Sequence, residues 1–153
     1  MIEEYTLPEL NDPQRLSDLT GSVPLVVTVT VPDSDAATAS KYGIFFVAPF
    51  PCVLIGAYER HDTAGSDAGT VTLDIEKLTD GTAPGSGVSM LFGTFNLKGT
   101  ASTYQSKTAT ATPANASLST GEAMALLTSG TLTAVNHVQV TVLLKVLTKY
   151  LTT

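Results

Sequence analysis

The most regular pattern of apolar and polar residues in the chain lies between Val135 and Leu147. Five branched apolar residues occupy every second position, with polar residues at most of the positions between them: Val138, Val140, Val142, Leu144 and Val146. Side chains of an extended strand point alternately to two faces, so this pattern predicts a β-strand with one buried face. Because a lone strand cannot satisfy its backbone amides or bury five such side chains, the rest of the chain must supply neighbouring strands and an opposing apolar face.

Similar patterns predict most of those partners. The stretch Val23–Val31 alternates in the same way, and its apolar face is expected to share one core with that of the last strand. Further strands are expected at Tyr42–Ala48, Cys52–Arg60, Thr70–Leu78, Ala123–Leu127 and, weakly and facing solvent, near Gln105–Thr112. Phe92–Lys98 is expected to be extended, and Val88–Leu91 to form a single helical turn. About eight strands separated by turns, with no long helix, predict an all-β fold, an antiparallel β-sandwich of jelly-roll type.

Proline and glycine refine this expectation at two places. Pro49 and Pro51 cannot both sit in a central ladder, so they mark a corner where the chain changes direction. Gly56, inside the strand that follows, suggests a bulge or a close approach by a bulky neighbour.

The first 22 residues differ from the rest of the chain, because they are polar, charged and interrupted by Pro8 and Pro13. Pro13–Leu19 could form a short helix capped by Asp12. We therefore expect residues 1–22 to form an N-terminal arm and residues 23–153 to form the sandwich domain. An arm without its own core stays disordered, packs on its own domain or docks on a partner, and the sequence leaves these three alternatives open.

Composition narrows the classes of function. Of the 153 residues 43 % are hydrophobic but only 14 % are charged, which favours a component of an assembly, with much of its surface hydroxyl, small apolar or covered. A net charge of −6 with few scattered basic residues argues against nucleic-acid binding. The N-terminus lacks the pattern of a secretory signal, and no apolar run is long enough to span a membrane, so a soluble product of the cytoplasm is expected. The lone Cys52 excludes an internal disulfide and is expected to be a small buried residue.

Candidate chemistry is sparse. The one local cluster of reactive side chains surrounds a turn and comprises Glu59, Arg60, His61, Asp62 and Asp67. No nucleophile motif accompanies it, and the spacing of its histidine and aspartates fits neither zinc ligand pairs nor a calcium loop, so solvated turn residues are expected. Asp74 and Glu76 share a strand face and are expected to be exposed, and Gly81–Gly87 is expected to be a turn. We therefore predict no catalytic residue, no metal, no cofactor and no enzymatic activity.

The order of strands and turns along the chain resembles that of a known class of protein. The relevant stretches are the proline turn and strand Ala48–Tyr58, the strand Gly69–Ile75, Met90–Leu91 after a glycine-rich link, Thr120–Glu122, and the closing strand Val138–Val146. Together, over about residues 43 to 148, they resemble small jelly-roll proteins of tailed-bacteriophage virions, namely head decoration or capsid-stabilising proteins and the related head domains of fibres.

The resemblance implies a homo-oligomer, commonly a trimer, on the capsid exterior that binds the major capsid protein through an N-terminal arm. By position, the arm residues expected to touch the capsid are Ile2, Tyr5, Leu7, Leu10, Arg15, Leu16 and Leu19. The chain would then be made in the host cytoplasm and reside in the virion. The alternative is a carbohydrate- or receptor-binding β-sandwich module of a phage fibre or tail, because the same fold also serves as a binding module.

Overall fold

Two antiparallel sheets hold nearly all the regular structure in residues 24–31 and 41–147, the part of the chain that this computed structural model describes. The strands are β1 (Pro24–Val31), β2 (Lys41–Val47), β3 (Cys52–Arg60), β4 (Thr72–Leu78), β5 (Val88–Ser89), β6 (Phe95–Asn96), β7 (Gln105–Thr108), β8 (Ser117–Leu118), β9 (Ala123–Ser129) and β10 (Val138–Val146). One short helix, α1 (Pro113–Ala116), precedes β8. The expected all-β sandwich is confirmed.

The strand order is that of a jelly roll. Sheet A runs β1-β10-β3-β7, and β8 also pairs with β3; sheet B runs β2-β9-β4-β5, and β6 also pairs with β4. Since β7 and β8 lie along one side of β3, and β5 and β6 along one side of β4, the ten described strands occupy eight positions, four in each sheet. Among the described strands the chain passes from one sheet to the other six times, between β1 and β2, β2 and β3, β3 and β4, β6 and β7, β8 and β9, and β9 and β10, as two Greek keys require.

The last strand lies in the middle of sheet A, between β1 and β3. Its alternate residues Val140, Val142 and Leu144 are fully buried. The register places them opposite the inward-facing residues of β1, for example Leu144 opposite Leu25. The two alternating stretches seen in the sequence therefore share one core, as expected, and do so as neighbours in one sheet.

Sheet B closes the other side of the core. Leu73 and Ile75 of β4 and Met124 and Leu126 of β9 are at most 2 % exposed and belong to the same buried cluster as the valines of β10. Cys52 at the start of β3 is buried in this cluster too, as expected for a small hydrophobic residue.

A β-bulge interrupts the pairing of β3 with β10. Gly56 lies opposite Leu143 and Leu54 lies opposite Leu144, so Ile55 is an extra residue with no partner of its own. A Cβ atom on Gly56 would lie 3.0 Å from the carbonyl oxygen of Lys107 in the adjacent β7, which is tight enough to favour glycine there. The expectation of a bulge at Gly56 is confirmed, whereas the close neighbour is the backbone of β7 and not a bulky side chain.

The glycine-rich stretch 79–87 lies against the outer side of β4 in sheet B. The backbone N–H groups of Gly85 and Gly87 both donate to the carboxylate of Glu76, the second of these at 3.0 Å. Glu76 is 2 % exposed, and Leu78 and Ala123 beside it on this face are also buried. The expected exposed polar face of β4 is therefore wrong at Glu76, because the loop replaces solvent as the partner of the carboxylate.

Two local expectations were also wrong. Val88–Leu91 does not form a helical turn, because Val88 and Ser89 pair with β4 and Leu91 bridges to Ala109. The four-residue helix α1 was not expected in the threonine- and alanine-rich middle of the chain. Lys77 holds its C-terminal end, donating from Nζ to the carbonyl oxygens of Ala114 at 3.2 Å and of Ser117 at 2.8 Å.

The expected arm, residues 1–22, lies outside the described residues, and the domain limits 23–153 stay a prediction. In the part of the chain that the structure describes, no helix is long and apolar enough to cross a membrane.

Gly87→Ala should lower the free energy of unfolding by about 2–3 kcal/mol, the cost of forcing a methyl group into a packed site. The new Cβ would lie 2.7 Å from Cδ2 of Leu78 and inside van der Waals contact of the Lys77 carbonyl oxygen. Gly69→Ala is the matched control, because its Cβ would meet one atom at an ordinary 3.5 Å. Urea unfolding of both variants tests this, and equal stabilities would contradict the packing of the loop on β4.

Candidate interaction surface

Glu59 and His61 form a buried ion-pair or hydrogen-bonded pair at the end of β3. Oε1 of Glu59 lies 2.8 Å from Nδ1 of His61, and both side chains have no exposed area. Nε2 of His61 lies 3.2 Å from the carbonyl oxygen of Gly99, and Gln105 donates from Nε2 to Oε2 of Glu59 at 2.8 Å. The expectation of solvated turn residues is wrong for these two, because the bulge turns them inward.

The pair shares one proton. The carbonyl oxygen of Gly99 can only accept a hydrogen bond, so Nε2 of His61 carries a hydrogen. The contact between Nδ1 of His61 and the Glu59 carboxylate needs another hydrogen, placed between those two atoms. Burial raises the pKa of the Glu59 carboxyl, and the hydrogen bonds and charge of His61 and the hydrogen bond of Gln105 offset part of this rise. Loss of the shared proton would leave a net negative charge inside the protein.

The hydrogen bonds around Glu59 and His61 connect neighbouring loops to sheet A. Gln105, which bonds Glu59, also donates from Nε2 to the carbonyl oxygen of Asn96 at 2.7 Å, and the N–H of Asn96 donates to Oε1 of Gln105 at 3.0 Å. The N–H of Ser102 donates to the carbonyl oxygen of His61 at 2.7 Å. A Glu–His pair with no exposed area cannot touch a substrate, so its contacts describe a structural staple.

The other charged residues of the expected cluster lie apart from this staple. Arg60 and Asp62 are exposed, and Asp62 lies 3.5 Å from Nδ1 of His137. Burial raises the pKa of Asp74, whose Oδ1 accepts from the Ser89 hydroxyl at 3.0 Å. Within residues 24–31 and 41–147, no three histidine, cysteine, aspartate or glutamate side chains lie together as a metal would require.

The outer side of sheet A carries several exposed large side chains among the described residues. We call it the A face, and define it by the outward residues of its strands: Val26, Thr28 and Thr30 of β1; Ile55, Tyr58 and Arg60 of β3; Ser106 of β7; and Gln139, Thr141, Leu143 and Lys145 of β10. The register puts Thr28, Thr141, Tyr58 and Ser106 in one row across four strands. Val26 and Leu143 form the next row, beside the bulged Ile55.

The A face is apolar at its centre and carries few charges. Val26 is 54 % exposed, Ile55 50 % and Tyr58 44 %, which is high for large side chains within a sheet. Arg60 and Lys145 are its charged residues, and the remaining polar ones carry hydroxyl or amide groups. Tyr104, just before β7, is 69 % exposed. An apolar centre with tyrosine and arginine is typical of a protein-binding surface.

In the described part of the chain, the outer side of sheet B has fewer exposed large apolar side chains than the A face. The loop 79–87 lies against β4, and the exposed apolar side chains of the outer side of sheet B, Ile44 and Val47, lie on the edge strand β2.

The predicted partner-binding residues Ile2, Tyr5, Leu7, Leu10, Arg15, Leu16 and Leu19 all lie outside the described residues, so their role stays a prediction. Sequence reasoning missed the A face and the Glu59–His61 staple. One signal was available: an extra residue at a bulge reverses the alternation, which moves Glu59 and His61 to the inner side and Tyr58 and Arg60 to the outer side.

Comparison with known proteins supports the fold. The chain is similar to a chain in a structure described as the capsid of Ralstonia phage GP4, with a TM-score of 0.56 and 16 % sequence identity over 82 % of this chain and 85 % of that one. It is also similar to a chain in the capsid asymmetric unit of cyanophage Pam1, with a TM-score of 0.48 and 16 % identity over 83 % and 89 % of the two chains. No protein-family model and no curated protein sequence matches it.

Rising pH should destabilise the native chain relative to Glu59→Gln. A carboxyl with a raised folded-state pKa contributes stability that is complete below the ordinary glutamate range and is lost as the pH rises through the folded-state pKa. A glutamine can donate to Nδ1 of a neutral His61 and accept from Gln105 without a titrating proton. Urea unfolding between about pH 4 and pH 9 measures the difference.

The control for this experiment is Asp80→Asn, which removes one carboxylate at an exposed turn position. Its stability curve should run parallel to that of the native chain. A Glu59→Gln curve parallel to the native one would contradict the shared proton.

Proposed function

We propose that the chain is a structural protein of a tailed-phage virion, which decorates the outside of the head by binding the major capsid protein. The observation that carries the proposal is the jelly-roll fold of this chain together with its structural similarity, over most of its length, to a chain of a phage capsid structure. The A face supports it, since a bare apolar sheet face suits a subunit that is covered in an assembly.

The proposal includes a homotrimer and a capsid-contacting arm, residues 1–22. Low charge density over the whole chain is consistent with a subunit whose surface is partly buried by copies of itself. Many weak contacts, repeated over a symmetric shell, bind such a trimer far more firmly than one contact binds a monomer. Its place would be the exterior of the virion, reached after synthesis in the host cytoplasm.

A second candidate function is carbohydrate or receptor binding as part of a phage fibre or tail. The observation that favours it is the pair of exposed tyrosines, Tyr58 on the A face and Tyr104 just before β7, because tyrosine rings stack on sugars and sit readily at interfaces. Binding to a glycan array that disappears in both Tyr58→Ala and Tyr104→Ala would favour this candidate over head decoration.

Particles made by the genome that encodes this chain should contain it in many copies. We expect peptides of the chain in density-gradient-purified virions at a constant ratio to the major capsid protein, and extra density on the head by cryo-electron microscopy. A chain absent from purified particles, or found at the tail alone, would overturn head decoration.

Deleting residues 1–22 should leave the sandwich folded and abolish attachment to heads. The physical reason is that β1 begins at Pro24, so the deletion removes none of the described core. Thermal unfolding checks the fold, and co-sedimentation with heads that lack the chain checks attachment. Full attachment of the shortened chain would contradict the assignment of the arm, while leaving head decoration itself intact.

A further inference from the structure

The two sheets of the sandwich differ in what covers their outer sides. On sheet B, the loop 79–87 lies against β4, where the Glu76 carboxylate accepts from the N–H groups of Gly85 and Gly87. On sheet A, no described segment lies over the central strands, and Val26, Ile55 and Tyr58 are about half exposed. Among the described residues, sheet B is thus partly covered by the chain itself, whereas the outer side of sheet A is open.

The open side has the layout of a docking surface. Its centre is apolar, formed by Val26, Ile55 and the half-buried Leu143, which adjoin one another in the β1–β10–β3 register. Hydroxyl groups in the next row surround Tyr58. Fixed strands hold these side chains, so little conformational entropy is lost when a partner covers them.

The charged residues of the A face indicate what kind of surface would bind it. Arg60 pairs in register with Gln139, and Lys145 lies six residues further along β10, so the two cations stand roughly 20 Å apart at opposite ends of the apolar centre. The A face contains no carboxylate, although the chain as a whole carries a net charge of −6. The described acidic residues lie in the interior, in loops, on sheet B or near the ends of the sandwich.

This distribution argues against pairing two A faces. Two identical copies packed face to face by a twofold axis would bring four cations and no carboxylate into the interface, and burying unpaired cations is costly. The surface of a different protein that carries carboxylates would instead pair with both cations, and electrostatic attraction would speed the association.

We propose that the A face is the docking surface for a different protein, whose complementary surface has an apolar centre flanked by carboxylates about 20 Å apart. The inference rests on the proposed function, in which that protein is the major capsid protein, and adds a second contact to that of the arm. Ile55 and its apolar neighbours supply the buried centre, and Arg60 and Lys145 set the orientation.

Matched substitutions on the two sheets test the apolar centre. The assay is co-sedimentation of the purified full chain with particles from which the chain's gene has been deleted. Ile55→Asp, on the A face, should weaken binding by about tenfold or more, because it places a carboxylate against an apolar and acidic surface. Ile44→Asp is the control, since Ile44 is 53 % exposed against 50 % for Ile55 but lies on sheet B.

A second pair of variants tests the charges. Lys145→Glu should weaken binding by about tenfold, and Lys107→Glu, which changes the net charge equally from β7, should leave it within about twofold. Equal binding by the native chain and all four variants would overturn the A face as a docking surface while leaving head decoration standing. A loss of binding confined to Ile44→Asp would show that the docking surface lies on sheet B. A native chain that does not bind the particles would overturn the proposed function.

Crosslinking in intact virions identifies the occupant. A carbodiimide joins an amine directly to a carboxylate, without a spacer, so Lys145 should be found attached to an aspartate or glutamate of the major capsid protein. Attachment of Lys145 to a second copy of this chain would overturn the heterologous partner and show head-to-tail self-assembly. Absence of any crosslink at Lys145, with crosslinks at Lys107, would overturn the A face.

Discussion

The arrangement of functional groups in this protein depends on one extra residue in β3. Ile55 has no partner in β10, so the alternation of inner and outer side chains reverses at Gly56. Beyond that point Glu59 and His61 face the interior, where they hold loops to the sheet, and Tyr58 and Arg60 face outward. The buried staple and the outward position of Tyr58 and Arg60 thus have one cause, and the close approach of β7 favours glycine next to the bulge.

Two buried carboxylates are stabilised in different ways. Glu59 faces the interior, where the side chains of His61 and Gln105 are its hydrogen-bond partners. Glu76 is instead satisfied by backbone N–H groups of the glycine-rich loop, and the loop must lie on sheet B to reach it. The hydrogen bonds of Glu76 therefore place a loop on the outer side of sheet B, whereas those of Glu59 lie inside the sandwich.

The strands were predictable because their signal is local. Val138–Val146 was predicted to the residue, and the other long strands to within about two residues, from alternation and from the prolines that end β2. The burial of Glu59, His61 and Glu76 was not predicted, because it depends on a bulge and a loop that act across the sheet. The two-residue strands β5 and β8 were missed for a related reason, since each exists through pairing with a distant strand, whereas β6 lies within the stretch Phe92–Lys98 that was expected to be extended. The arm and its capsid contacts remain predictions.

The central place of β10 also governs the order in which the chain can fold. Leu25 of β1 has its partner at Leu144, so sheet A is incomplete until almost the whole described chain has been synthesised. At the usual rates of translation this interval is on the order of ten seconds, during which the valines of β1 have no neighbour. Folding must then bring together segments from opposite ends of the sequence, which is slow for such distant contacts. Newly made chains are therefore most exposed to aggregation at the ribosome, before the final strand emerges.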